Sequence, residues 1–137
     1  MSPSDREANL ELVRRAFALF EQRDMDGLFA VASDDVEVGG APELPNSGTY
    51  HGRQGFPTWI AQWLDAWDEF AIEVDDVQAI DDEHVVVDVD QRGRGKGSGL
   101  EVAQHGLAYL VTIREGLVAR LYLYPDRAAA LAAAEQG

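Results

Sequence analysis

From Phe70 to Tyr124 apolar and polar residues alternate with a period of two, and the alternation breaks only at Asp81–Asp82, at Gly95 to Gly99 and at Glu115–Gly116. Side chains of a strand point to opposite faces in turn, so the pattern predicts successive strands over Phe70–Ile80, Val85–Arg94, Leu100–Ile113 and Leu117–Tyr124. Before Phe70 the period is helical. Leu10, Val13, Phe17 and Phe20 recur behind the capping box Ser4-x-x-Glu7, which predicts a helix over 5–22. Asp24 caps a second helix over Met25 to Ala32, and Val36–Val38 forms a short strand. Gly39 to Gly48 holds Pro42 and Pro45 and reads as a loop. Phe56, Trp59, Ile60, Trp63, Leu64 and Trp67 form the apolar face of a third helix over 54–66, with Pro57 in its first turn. Asp126 caps a terminal helix over Ala128 to Ala134. Helices first and a meander of strands after them make an α+β chain.

Its 137 residues fit one domain spanning 1–137, and the net charge of −14 excludes the basic footprint of a nucleic-acid binder. The same charge disfavours anionic lipid, and no apolar run approaches the roughly 20 residues of a membrane span. No cysteine is present, so thiol chemistry and Cys-based zinc sites are excluded. His51, His84 and His105 lack metal-ligand spacing, so neither a metal nor a cofactor is expected. The N-terminus has no apolar signal segment, which makes the cytoplasm the expected compartment.

Pivoting the hairpins at Ser98 and Glu115 places Val87 opposite Tyr109, Gln91 opposite His105 and Tyr109 opposite Leu121. The odd positions, from Val85, Val87, Val89 and Gln91 through His105, Tyr109 and Val111 to Leu121 and Leu123, then share the apolar inner face. The even face, with Val86, Asp88, Asp90, Arg92, Ala108, Leu110, Val118, Tyr122 and Tyr124, is mixed and reads as wet or as a subunit interface.

Arg23-Asp24-Met25-Asp26-Gly27-Leu28, Tyr50-His51-Gly52-Arg53-Gln54-Gly55-Phe56, the Gly-rich run Arg92 to Gly99, and Tyr124-Pro125-Asp126-Arg127 together resemble the SnoaL-like and ketosteroid-isomerase-like families of the nuclear-transport-factor-2-like superfamily. The resemblance implies a cone, a curved and mainly antiparallel sheet wrapped around three N-terminal helices, with a short C-terminal helix and an apolar pocket open at one end. It also implies a homodimer through the outer sheet face. It does not carry the isomerase machinery across. Gly40 stands where that family's Asp base would be, Ala16 where its first-helix tyrosine would be, and Tyr109 near its protonated Asp. The Asp–Arg–Asp set of the fold's epoxide hydrolases has no counterpart on the inner face.

The expected ligand is a small apolar or aromatic molecule. Tyr109 is the candidate hydrogen-bond donor and His105 the candidate base, about 13 Å apart along their strand. Trp59, Trp63, Gln91, Val87, Leu121 and Tyr50 are the candidate pocket residues, with Arg53 at the rim. If an enzyme, the chain is an isomerase, cyclase or hydrolase working by hydrogen-bond polarisation. The alternative is a non-catalytic module with a filled cone that assembles through Tyr122 and Tyr124. Asp88 is a further candidate if a bulge turns it inward.

Overall fold

The computed structural model describes residues 3–41, 48–95 and 97–135, with the backbone alone at 3–5, 63, 66 and 102. Helix α1 (Pro3–Glu21) starts earlier than the sequence predicts, with Pro3 at the end where a missing N–H is harmless. Ser4 therefore falls within the helix rather than before it, and its side chain lies outside the described residues. Helix α2 (Met25–Ala30) is capped as expected, the Asp24 carboxylate accepting from Gly27 N–H at 3.0 Å. It stops short of Ala32 because strand β1 (Ala32–Gly40) begins there, and β1 is far longer than the predicted Val36–Val38.

Strand β2 (Gly48–His51) begins where the predicted loop ends and pairs antiparallel with β1. Glycine explains why this pairing was hidden: a Cβ on Gly39 would sit 2.1 Å from the Gly48 carbonyl oxygen, so the close approach needs a residue that strand patterns discount. The rest of the predicted loop, 42–47, lies outside the described residues. Helix α3 (Gly52–Ala66) also starts early, which puts Pro57 in its second turn rather than its first and removes a donor to the Arg53 carbonyl.

Strands β3 (Trp67–Ala79), β4 (His84–Gly95), β5 (Glu101–Arg114) and β6 (Leu117–Tyr124) follow, then helix α4 (Arg127–Glu135). They form one six-stranded sheet in the order β2-β1-β6-β5-β4-β3, in which only β1 and β6 run parallel. This is the α+β architecture expected, open rather than closed.

The predicted faces hold over most of the sheet and fail at two bulges. Val87 does stand opposite Tyr109. Gln91, however, stands opposite Gln104 and not His105, because His105 and Gly106 together oppose Asp90, with Gly106 at φ 74°. The β5–β6 register also corrects the prediction. Tyr109 faces Leu123, and Leu121 faces Val111. An irregularity at Thr112–Ile113 turns Val118 inward, where it is buried in the main core. The second correction concerns the outer face. Val86, Ala108 and Leu110 are not wet there but buried beneath Ala130 and Leu131 of α4. Arg127 fastens that helix by pairing with Asp88, so Asp88 points away from the cone and not into it.

The β3–β4 turn is tied by Asp81, whose carboxylate accepts from the N–H groups of Glu83 and His84, each at 2.8 Å, and from the His84 ring at 3.0 Å. Burial alone would raise the Asp81 carboxyl, but these hydrogen bonds outweigh it and hold the group below the usual range. A carboxylate depressed on folding adds stability above its unfolded pKa and loses it as pH falls through the lower folded value. Asp81→Asn is expected to cost about 1 kcal/mol at neutral pH, kept low by the group's partial exposure. In urea titrations the gap from wild type should close as pH drops through the carboxylate range.

Candidate functional site

The helices and the inner sheet face do not fill the cone completely. Val13, Ala16, Phe17 and Phe20 of α1 close one side, because a helical period of three to four turns them all toward the sheet. Phe56, Trp59 and Ile60 of α3 close another, and Tyr109, Val111, Val118 and Leu121 form the floor. Between them lies a cavity of about 50 Å³, measured as the space open to the centre of a water molecule. Apart from Trp59 and Tyr109, every described residue lining it has a hydrocarbon side chain. Such a cavity is expected to stay dry and to favour apolar guests.

Tyr109 is 4% exposed and Gln91 3% exposed, and Gln91 Nε2 donates to the Tyr109 hydroxyl at 2.8 Å. The phenol keeps its own proton available to donate, while Gln91 Oε1 is buried with no hydrogen-bond partner among the described residues. Flipping the amide exchanges the roles within the pair but still leaves a donor and an acceptor over. Burial pushes the Tyr109 pKa well up, against the opposing hydrogen bond from Gln91, so the phenol stays neutral at all ordinary pH. Phe17 meets the Tyr109 ring edge to face with centroids 5.4 Å apart, which fixes the ring's plane.

Of the residues the sequence singles out, Tyr109, Trp59 and Leu121 line the cavity. Gln91 adjoins it through Tyr109, and Val87 is fully buried in the core without lining it. The Trp63 side chain lies outside the described residues. Tyr50 is not at the cavity; its hydroxyl donates to Gln62 Oε1 at 2.6 Å. The β5 bulge carries His105 outward, leaving its side chain 76% exposed and 3.5 Å from the Asp90 carboxylate. That carboxylate is held below the usual range chiefly by the Gly106 N–H, with His105 adding to the effect. Arg53 pairs with Asp34 at 2.8 Å on the surface. Sequence reasoning did not assign Phe17, Phe20, Ala16, Phe70 and Ile72 to the pocket. Their helical and alternating periods mark them as inward-facing, but only the gap between the layers makes them a wall. Among the described residues no group of three or more His, Asp or Glu side chains is placed to hold a metal. No described helix is long and apolar enough to cross a membrane.

The family model for the SnoaL-like domain matches residues 13–121. The chain belongs to the SnoaL-like family. The match spans every described residue that lines the cavity, from Val13 to Leu121. Among curated proteins, none matches the chain. Among solved structures, a protein of Jannaschia sp. CCS1 called a SnoaL-like polyketide cyclase superposes with a TM-score of 0.77 at 19% identity, covering 97% of this chain and 94% of that one. TerC, crystallised with polyporic acid, gives a TM-score of 0.75 at 20% identity over 93% and 98% of the two chains. A protein of ketosteroid isomerase-like fold from Catenulispora acidiphila, in complex with trimethylamine, gives 0.72 at 18% identity over 89% and 90%. At these identities the likeness establishes the fold that this SnoaL-like chain shares with them.

Proposed function

We propose that the cone is a binding pocket for a small, mainly apolar molecule, one polar group of which is held by the Tyr109–Gln91 pair. The observation that carries this reading is a buried amide–phenol pair with unused hydrogen-bonding capacity beside a cavity otherwise walled by hydrocarbon. Unmet polar atoms in a core are costly, and a ligand carbonyl or hydroxyl at the Tyr109 proton would offset that cost. The fold's use for small molecules elsewhere supports it, since relatives hold polyporic acid and trimethylamine.

At about 50 Å³ the cavity is smaller than the ~150 Å³ that holds benzene in an apolar core, so a short alkyl portion fits as it stands and a single ring enters only as the walls shift, with any larger remainder outside. Its chemistry narrows what could be done to that ligand. Among the described residues the lining carries no carboxylate, histidine or lysine, so none of them supplies a base for proton abstraction within the cavity. A neutral tyrosine in a dry site polarises a carbonyl by donating to it, and Gln91 orients the phenol by donating to its oxygen. The reading is therefore binding with polarisation, without an internal acid–base pair.

Thermal shift with acetophenone and related aryl ketones tests it. A ligand at about 100 times its Kd should add ~2.7 kcal/mol, which raises the midpoint by several degrees in a chain of this size. Ala16→Leu places a branched side chain in the cavity and should abolish the shift while leaving the unliganded midpoint within a degree or two of wild type. The alternative is assembly through the outer face of β1, β2 and β6, with Tyr122 and Tyr124 forming a homodimer around a closed cone. It predicts no ligand shift in either protein.

A further inference from the structure

An open groove of about 680 Å³ runs between α1 and the edge strand β3, and Phe17, Phe20, Phe70 and Ile72 line both it and the inner cavity. Those four side chains are the partition between the apolar interior and the surface. The groove also carries Arg14, Arg23 and Arg92. Five arginines of this acidic chain meet carboxylates: Arg6 with Asp82, Arg53 with Asp34, Arg94 with Glu69, Arg120 with Glu37, and Arg127 with Asp88. Exposed Arg15 and Arg114 meet none among the described residues, but each stands alone rather than in a shared groove. The groove gathers three arginines that, among the described residues, also meet none. Arg23 donates to the carbonyl oxygens of Phe20 and Phe70, at 2.8 and 2.6 Å, pinning the end of α1 to β3. Its guanidinium also lies 4.7 Å from the centre of the Phe20 ring. Among the described residues neither Arg14 nor Arg92 has a carboxylate partner, although Glu21 and Glu73 line the same groove.

From this we infer that the groove is the anion-reading half of the site, and that the ligand is an aromatic carboxylic acid. Its ring enters the cavity past Phe17, Phe20, Phe70 and Ile72, while its carboxylate stays in the groove against Arg14 and Arg92. The inference rests on the cavity reading above and adds the charge and the orientation of the ligand. A net charge of −14 repels anions from the molecule as a whole, so any preference for an acid must come from local cations. Arginine suits the task, since its planar fork matches a carboxylate.

The test compares 3-(4-hydroxyphenyl)propanoate with its amide, which share size and a ring hydroxyl for the Tyr109–Gln91 pair and differ in charge, by calorimetric titration of the full chain at low salt. Wild type should bind the acid about tenfold more tightly than the amide, as exposed pairs with two arginines allow. The ratio should fall to about one in the double variant Arg14→Gln/Arg92→Gln and shrink in high salt. Arg15→Gln, which changes a neighbouring arginine that does not line the groove, should keep the ratio. Equal affinities in wild type, or a preference that survives in the double variant, would overturn the groove's role and leave the cavity reading intact. Binding of neither compound would remove both.

Discussion

Phe17→Ala is expected to lower the unfolding free energy by about 3 kcal/mol, and to lose most of that deficit again when a two-ring guest such as indane is added. Phe17 packs edge to face on Tyr109 and walls the cavity, so its removal deletes both the contact and part of the partition. The residue is only half-buried, which sets the cost at the lower end of the range for phenylalanine truncations. The enlarged space remains lined by hydrocarbon and has no reason to fill with water. A guest at about 100 times its Kd restores ~2.7 kcal/mol by mass action, nearly the whole loss. Urea unfolding with and without indane checks both halves. A variant that is destabilised but not rescued would mean that the helix collapses onto the sheet, and the cavity would then not be a preformed feature of the cone.

The second large effect lies in the polar pair. Tyr109→Phe removes one oxygen and leaves the Gln91 amide, 3% exposed, with no partner for its nitrogen. The expected loss is about 1–3 kcal/mol, the range for an orphaned buried polar group rather than for a simple hydrogen bond. Gln91→Leu should cost a similar amount by stranding the phenol. The double variant Tyr109→Phe/Gln91→Leu should be more stable than the sum of the two losses predicts, by about 1 kcal/mol or more, because no orphan remains. Additive losses would show that the two groups are satisfied independently, and the pair would then have no capacity reserved for a ligand.

The sheet was legible because alternation is a strong signal where one face is buried. Val85, Val87 and Val89 and the run from Leu107 to Ile113 fell on the predicted face. What alternation cannot carry is an added residue. One at His105–Gly106 moved His105 from the inner list to the surface, and the shift near Thr112–Ile113 brought Val118 in from the outer one. Gly106 was the visible hint, since an isolated glycine in a strand marks a bulge. β2 was hidden for a related reason, its pairing depending on the bare backbone of Gly39. The cover that α4 gives Val86 and Leu110 is a tertiary contact that no local pattern encodes, though the alanine-rich segment 128–134 is the flat surface such packing uses. Of the site, the phenol and its amide neighbour were recoverable from register, whereas the partition by Phe17, Phe20 and Phe70 depends on how far the layers stand apart.

The central claim is that a small ring enters the cone beside Tyr109, and methyl-resolved NMR tests it most directly. In a titration with acetophenone, saturable shifts should appear at the methyl groups of Val13, Leu28, Val111, Val118 and Leu121, which line the cavity. Leu100, 68% exposed at the far hairpin, should not move. Tyr109→Phe should weaken the same shifts without relocating them. Cavity methyls that stay unperturbed at saturating ligand, or shifts confined to surface groups such as Leu100, would contradict the account.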